Sequence, residues 1–123
     1  MNIGKKILII EDEKPMANAL SLKLQSGGFE TQVVYDGEAA IAALKTSQYD
    51  LLILDLVMPQ KDGFFVLTEL KKLKIATPVI VSSNLSQEED IKRARELGAR
   101  DYFIKSDTTL ATVVEKVKQA LGT

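Results

Sequence analysis

Short runs of hydrophobic residues alternate along the chain with longer segments of helical periodicity. Three of the runs show no alternation of apolar and polar positions, which indicates strands buried on both faces of a parallel sheet. The run at residues 31–34 is the most mixed in polarity and favours an edge strand. The predicted strands are residues 7–10, 31–34, 51–54, 79–81 and 102–104.

Between these runs, apolar residues recur every three or four positions, as on one face of a helix. The stripes are Met16, Leu20 and Leu24; Ala40, Ile41 and Leu44; Val66, Leu67, Leu70 and Leu73; Ile91, Ala94 and Leu97; and Leu110, Val113, Val114, Val117 and Leu121. Gly27 with Gly28, and later Gly98, predict the ends of the first and fourth helices as left-handed caps. The alternation of strands and helices predicts an α/β domain, with helices on both faces of a parallel sheet.

Polar side chains follow several of the predicted strands. They are Glu11 and Asp12 after the first strand, Asp55 after the third, Ser82, Ser83 and Asn84 after the fourth, and Lys105 after the fifth. The carboxyl ends of parallel strands share one edge, where open α/β sheets bind ligands. If the first and third strands are neighbours, the three carboxylates crowd together and favour Mg²⁺ or Ca²⁺. Lys105 and Ser83 would then suit phosphate oxygens.

Each of these residues also has an ordinary structural explanation. Glu11 and Asp12 would open the first helix as capping residues, Ser83 would be a cap or turn residue, and Lys105 would be a solvated surface lysine. These explanations do not account for complementary chemistry on four loops at one edge of the sheet.

The composition narrows the possible chemistry. The chain has 123 residues, of which 46% are hydrophobic and 27% charged, as expected for one soluble domain. It has no cysteine and no histidine, which excludes disulfides, thiolate nucleophiles and imidazole bases. A net charge of −1 gives no basic footprint for nucleic acid. The longest apolar run, residues 39–44, is too short for a membrane span, and no signal peptide is apparent, so we expect a cytoplasmic location.

Four segments together resemble the receiver domain of two-component response regulators. Residues 7–13 are similar to the first strand and acidic pair of that family, and residues 51–63 to its phospho-acceptor segment, including Met-Pro and Asp-Gly. Residues 78–83 are similar to its fourth strand with a terminal hydroxyl, and residues 98–105 to its fifth strand and lysine. The resemblance implies a doubly wound, five-stranded parallel sheet of order 2-1-3-4-5 with five helices, the flavodoxin/CheY-like fold. It also implies a single receiver domain over residues 1–123.

The resemblance further implies a role for each matching residue. Asp55 would accept a phosphoryl group as an aspartyl phosphate, with Lys105 and Ser83 contacting the phosphoryl oxygens. Ser83 and Tyr102 would form the conformational switch. The Mg²⁺ ligands would be Glu11, Asp12, Asp55 and the backbone carbonyl of Val57.

The implied function is a phosphorylation-dependent signalling switch. The domain would not be an enzyme, and would support only its own phosphoryl transfer and slow autodephosphorylation. The donor would be a phosphohistidine of a sensor histidine kinase or a histidine phosphotransfer protein. Phosphorylation would change the face formed by the fourth helix, fifth strand and fifth helix. A downstream protein, which the sequence does not name, would recognise this face. Charged residues on this face would form pairs in a phosphorylation-dependent dimer, although a solvated face with ordinary exposed pairs, worth about 0–1 kcal/mol each, is the favoured explanation. The residues concerned are Arg93, Arg95, Glu96, Asp101 and Asp107.

Three other functions are open to the same sequence. The chain is alternatively the receiver portion of a longer regulator with a DNA-binding or enzymatic output domain. A flavin or nucleotide binder is disfavoured, because no glycine-rich loop follows the first strand. A degenerate receiver that takes no phosphoryl group is also disfavoured, because all the acceptor-site residue types are present.

The sequence departs from the family pattern at several positions. Ser106 follows the lysine where proline is usual, so we predict a trans bond and a reshaped loop. Asn84 replaces a small residue and would either narrow the site or form a hydrogen bond across it. Val57 and Leu85 are apolar at positions that influence hydrolysis, which predicts slow loss of the phosphoryl group. Ser82 becomes the switch hydroxyl only if the strand is shifted by one residue, because its side chain should face the other side of the sheet.

Overall fold

The computed structural model describes residues 4–122, which form alternating strands and helices. The strands are β1 (Lys6–Ile10), β2 (Glu30–Val34), β3 (Leu51–Leu54), β4 (Val79–Ser83) and β5 (Asp101–Ile104). The helices are α1 (Lys14–Ser26), α2 (Gly37–Thr46), α3 (Gly63–Lys72), α4 (Glu88–Glu96) and α5 (Leu110–Leu121), and a 3-10 turn at Lys105–Asp107 precedes α5. Every predicted strand and helix is confirmed. None of the helices within residues 4–122 is long and apolar enough to cross a membrane.

The strands form one parallel sheet of order β2-β1-β3-β4-β5, as predicted. β2 lies at the edge, in agreement with its mixed polarity. From β1 the chain runs outward to β2 and then crosses back to β3 on the other side of β1. The loops after β1 and β3 therefore diverge, and this arrangement leaves a crevice at the carboxyl edge of the sheet.

Alternate residues of the strands pack against opposite layers of helices. In β1, Ile7 and Ile9 belong to the core formed with α1 and α5, whereas Leu8 and Ile10 belong to the core formed with α2, α3 and α4. β3 is therefore apolar at every position, as is β1 from Ile7 to Ile10, since both faces of these strands are buried. The burial of these aliphatic side chains is the main favourable contribution to folding.

The helix ends decide between capping and functional roles for the acidic residues. Asp36, Asp62 and Thr109 cap α2, α3 and α5 through their side chains. Glu13 is the N-cap residue of α1 and its side chain makes no capping hydrogen bond, whereas Oε2 of Glu11 accepts the N–H of Glu13 at 3.1 Å. Neither Glu11 nor Asp12 is the N-cap residue, so helix capping does not account for both acids.

The glycine caps and the outer helical stripes match the predictions in part. Gly28 and Gly98 have φ angles of 94° and 111°, as expected after a helix end, while Gly27 has φ −86° and is not left-handed. Leu73 lies just past the end of α3 and is exposed. Within α4, Ala94 is the buried residue, which makes this helix the least firmly packed of the five.

Candidate functional site

Three carboxylates converge at the carboxyl edge of the sheet between β1 and β3. Ile10 and Leu54 are register partners, so Glu11 and Asp55 leave adjacent strands side by side. The backbone N–H of Asp55 donates to the carbonyl of Ile10 at 2.9 Å and fixes this alignment. Carboxylate oxygens of Glu11, Asp12 and Asp55 all lie within 4.8 Å of one another. The crowding expected from neighbouring strands is therefore present.

Lys105 reaches this cluster from the turn that follows β5. Its Nζ atom lies 2.5 Å from Oε1 of Glu11 and 3.0 Å from Oδ2 of Asp55, and its side chain is only 4% exposed. The lysine is therefore not a solvated surface residue. Glu13 lies farther from it, at 3.8 Å, and is exposed. A long side chain is needed here because β4 separates β5 from β3.

Burial and pairing act against each other on the charges of this cluster. Burial raises the pKa of Glu11 to about 7, although the hydrogen bond from Lys105 lowers it in part. Burial also raises the pKa of Asp55, again opposed by Lys105. For Lys105, burial favours the neutral amine, but the hydrogen bonds to Glu11 and Asp55 prevail and its pKa rises. Two buried carboxylates share one ammonium group, so the site favours a further cation.

The loop after Asp55 explains the Asp-Gly pair of the sequence. Oδ1 of Asp62 accepts the N–H of Phe65 and caps α3. A Cβ atom at Gly63 would lie 2.5 Å from the carbonyl oxygen of Asp55 and 2.7 Å from Cα of Leu56. Only glycine allows α3 to begin this close to the backbone of Asp55. Asp62 and Gly63 therefore fix the start of α3 against the backbone of Asp55, and they have a structural rather than a catalytic role.

Ser82 and Ser83 lie within β4, although the sequence pattern ends this strand at residue 81. Pairing with Phe103 and Ile104 of β5 extends the strand through both serines. Ser83 is fully buried and its Oγ accepts the N–H of Leu85 at 3.2 Å. Ser82 faces the other side of the sheet, where it lines a small cavity of about 30 Å³ between the sheet, α1 and α5.

Tyr102 lies in β5 on the same side of the sheet as Ser83. The ring is 8% exposed, and its hydroxyl donates to the carbonyl of Leu85 at 2.6 Å. Leu85 therefore contacts Ser83 through its N–H and Tyr102 through its carbonyl. Sequence reasoning identified Ser83 and Tyr102 but not this backbone link, because the link depends on the path of the β4–α4 loop.

Val57 lies at the rim of the cleft and is 58% exposed. Its backbone N–H donates to Oδ1 of Asp55 at 3.1 Å. Both oxygens of Asp55 are thus held, Oδ1 by Val57 and Oδ2 by Lys105. Leu85 lines the same cleft.

The two departures at positions 84 and 106 meet in the structure. The residues described contain no cis peptide bond, and the Lys105–Ser106 bond is trans, as predicted. The backbone N–H of Ser106 donates to Oδ1 of Asn84 at 3.0 Å. Asn84 therefore forms a hydrogen bond across the site, which was one of its two predicted roles. A proline at position 106 would have no N–H to donate.

Comparison with known proteins places this chain in a family. The family model described as "Response regulator receiver domain" matches residues 7–118, and this is not a family of catalytic enzymes. The transcriptional regulatory protein DltR of Streptococcus agalactiae is 31% identical over 118 residues, which cover 94% of this chain and 53% of DltR. The chain thus spans about half the length of the curated relatives it matches.

Solved structures agree over nearly the whole chain. The receiver domain of the Francisella response regulator 1452 has a TM-score of 0.91 at 30% identity, covering 97% of this chain and 98% of that one. The phosphorylated cyanobacterial phytochrome response regulator RcpA has a TM-score of 0.79 at 35% identity, covering 94% and 89%. Fold, strand order and family match therefore agree that this chain belongs to the response regulator receiver domains of two-component signalling.

Proposed function

We propose that this receiver domain accepts a phosphoryl group on Asp55 from a phosphohistidine of a sensor histidine kinase or a histidine phosphotransfer protein. The observation that carries the proposal is the position of Lys105, which is buried and hydrogen-bonded to both Asp55 and Glu11. The description of RcpA as phosphorylated supports it by analogy. The chain has no histidine, so a phosphohistidine donor must lie outside these 123 residues.

The residues around Asp55 suit an in-line transfer. A carboxylate oxygen of Asp55 would attack phosphorus, so that an O–P bond forms while the N–P bond of the donor breaks and its electron pair returns to the imidazole nitrogen. Val57 N–H and Lys105 hold the two carboxylate oxygens and orient them before the attack. The ammonium of Lys105 offsets negative charge on the transferred group.

We propose Mg²⁺ as the cation of this site, held by Glu11, Asp12, Asp55 and the backbone carbonyl of Val57. The three carboxylates fit because they are hard oxygen ligands whose oxygens lie within 4.8 Å of one another. Within residues 4–122, Lys105 is the one ammonium group paired with the two buried carboxylates of this cluster. When bound, Mg²⁺ supplies charge neutralisation for the phosphoryl oxygens.

Magnesium should stabilise the protein more at pH 8 than at pH 5.5. The folded-state pKa of Glu11, about 7, lies above its unfolded value, so its contribution to stability is present at low pH and lost as pH rises through 7. Mg²⁺ offsets this loss, whereas at pH 5.5 a proton on Glu11 competes with the metal. At about 100 times its Kd, Mg²⁺ should add on the order of 2–3 kcal/mol at pH 8. Thermal unfolding with Mg²⁺ or EDTA at both pH values measures this, and equal shifts would contradict it.

The proposed switch connects Asp55 to the output face through Leu85. The Ser83 hydroxyl would leave the N–H of Leu85 and bond a phosphoryl oxygen, and Leu85 also holds the Tyr102 hydroxyl. Since α4 buries only Ala94, little packing resists its movement. The altered face of α4, β5 and α5 would then be recognised by a downstream protein that prefers one state.

A phosphorylation-dependent dimer through this face is part of the proposal. Asp101 already pairs within the chain, with Arg95 at 4.0 Å and with Lys116 at 3.2 Å. These partly exposed pairs contribute at most about 1 kcal/mol each, so they can be exchanged for contacts between subunits at little cost. Sedimentation that is independent of concentration after phosphorylation would argue against the dimer.

We expect slow loss of the phosphoryl group, because Val57 and Leu85 line the cleft but cannot orient an attacking water. Val57→Asn or Leu85→Glu should each raise the dephosphorylation rate about five- to tenfold, the factor that one added hydrogen bond supplies. The decay of the phosphorylated mass in the presence of Mg²⁺ measures this. The exposed Leu22→Asn is a control on α1 and should keep the parent lifetime. Variants that decay no faster than the parent would disprove the explanation.

A second proposal is that this chain is the receiver portion of a longer regulator with a DNA-binding output domain. It is favoured by DltR, a transcriptional regulatory protein of which the match covers only 53%. The reading frame downstream of Thr123 distinguishes the two proposals. A continuing linker and a DNA-binding domain would support the longer regulator, and an immediate stop codon would support a single-domain protein.

A further inference from the structure

Asn84 and Ser106 form a bridge between two loops that lie far apart in sequence. Oδ1 of Asn84, in the β4–α4 loop, accepts the N–H of Ser106, in the turn before α5. An N–H group in the first turn of a helix has no acceptor within that helix, so Asn84 supplies the missing partner from another loop. A backbone N–H can only donate, which also fixes the amide oxygen of Asn84 toward Ser106.

Each end of this bridge lies next to a group of the proposed acceptor site. Asn84 directly follows Ser83, whose side chain is fully buried. Ser106 directly follows Lys105, which is bonded to Asp55 at 3.0 Å. The bridge therefore connects the backbone beside the hydroxyl group to the backbone beside the ammonium group.

The bridge also lies at the cleft where phosphoryl transfer would take place. Asn84, Lys105 and Asp55 line one cleft together with Asp12 and Glu13. The β4–α4 loop leads into α4, which buries only one of its residues. The loop is therefore held mainly by hydrogen bonds, from Tyr102 to the carbonyl of Leu85 and from Ser106 to Asn84.

We propose that Asn84 is a positioning residue that holds the Ser83 loop and the Lys105 turn as one unit over Asp55. The inference rests on the proposed function, because its effect is exerted through phosphoryl transfer to Asp55. Two groups that are already held at a fixed separation need not be ordered during the transfer, so the bridge raises the rate constant. The two departures from the family pattern then compensate for each other: Ser106 supplies the donor that proline lacks, and Asn84 supplies the acceptor.

Three variants distinguish the effect of the Asn84–Ser106 hydrogen bond from the effect of side-chain size in the cleft. Asn84→Leu keeps the branching and the number of side-chain heavy atoms but removes the acceptor. Ser106→Pro removes the donor, whereas Ser106→Ala keeps the backbone N–H and serves as its matched control. Hydrogen exchange of the amide at position 106, followed by NMR, reports the bridge itself. We expect the amide to be protected in the parent and in Ser106→Ala, and to exchange faster in Asn84→Leu.

The rate of phosphorylation then reports the positioning role. The parent and variants are treated with phosphoramidate and Mg²⁺ over a range of donor concentrations, and the gain of one phosphoryl group is followed by intact mass. Asn84→Leu and Ser106→Pro should each lower the maximal rate about fivefold, as for the loss of one hydrogen bond, with little change in the donor concentration for half-maximal rate. Ser106→Ala should keep the parent rate, and the double variant Asn84→Leu with Ser106→Pro should be no slower than either single variant.

The outcomes distinguish this inference from the function on which it rests. All rates are measured well below the unfolding midpoint, so a purely structural effect would shift the midpoint and leave the rate unchanged. A phosphorylated parent with equally fast Asn84→Leu and Ser106→Pro variants overturns the positioning role and leaves the proposed function intact. A parent that takes up no phosphoryl group, either from phosphoramidate or from a phosphohistidine protein, overturns the proposed function and the inference together.

Discussion

The Asp55→Asn variant should take up no phosphoryl group from acetyl phosphate or phosphoramidate in the presence of Mg²⁺. The variant loses the carboxylate oxygen that would attack phosphorus, while its amide oxygen still accepts a hydrogen bond from Lys105. The fold should therefore be kept, since Asp55 is buried at a cost and its pKa is raised by that burial. The intact mass after treatment shows directly whether each protein is phosphorylated. The parent should gain one phosphoryl group with Mg²⁺ and none in EDTA.

Asp62→Asn is the matched control for this experiment. Asp62 lies on the same loop, and its Oδ1 caps α3 by accepting the N–H of Phe65. Asparagine caps helices about as well as aspartate, so the control should gain the phosphoryl group as the parent does. Phosphorylation of Asp55→Asn at the parent rate would place the acceptor elsewhere. The absence of phosphorylation in the parent, with Mg²⁺ still binding, would favour a domain that only a kinase can phosphorylate or one that has lost the activity.

The Lys105→Met variant should be the most destabilising single change at the site. It keeps the volume of the buried stem but leaves Glu11 and Asp55 without their shared cation. Removing one partner from a buried ion pair leaves the other charge uncompensated. We therefore expect the free energy of unfolding to fall by about 3 kcal/mol at pH 8 in EDTA. At pH 5 the cost should be smaller, because both carboxyls have a raised pKa and take up protons more readily. Urea unfolding at the two pH values gives the two free energies of unfolding.

Lys116→Met provides the comparison on the surface. Lys116 pairs with Asp101 at 3.2 Å, and both side chains are about one-third exposed. The loss of this pair should cost no more than about 1 kcal/mol in the free energy of unfolding. Equal costs for the two lysine variants, or a Lys105→Met cost that does not change with pH, would contradict the proposed electrostatics. Mg²⁺ should recover part of the stability of Lys105→Met, because it neutralises the same carboxylates.

The elements that were predicted most accurately are those with both faces buried. Leu51–Leu54 was predicted with its observed ends, because a run of aliphatic residues followed by aspartate has few other conformations in a small domain. β4 was predicted two residues short, because Ser82 and Ser83 are polar and resemble the start of a loop. They continue the strand because β5 supplies hydrogen-bond partners, which the local sequence does not reveal.

The candidate site was predicted in its residue types but not in its geometry. Glu11 and Asp12 satisfied the pattern of a helix start as well as that of a metal site. The structure decided between these alternatives, because β1 lies beside β3 and brings both acids close to Asp55. The positions of Ser83 and Tyr102 were predicted, whereas the role of the Leu85 backbone in joining them was not.

By itself, the sequence determined the alternation of strands and helices, the chemistry available to the chain and the edge of the sheet at which the polar residues lie. These properties follow from hydrophobic periodicity and residue type, which act over a few neighbouring positions. The tertiary structure decided that Lys105 is buried between Glu11 and Asp55, and that Asn84 meets Ser106. Both contacts join loops from different strands, so they depend on strand order and on the directions of long side chains. No local pattern determines those directions, because the groups meet only after the sheet has formed.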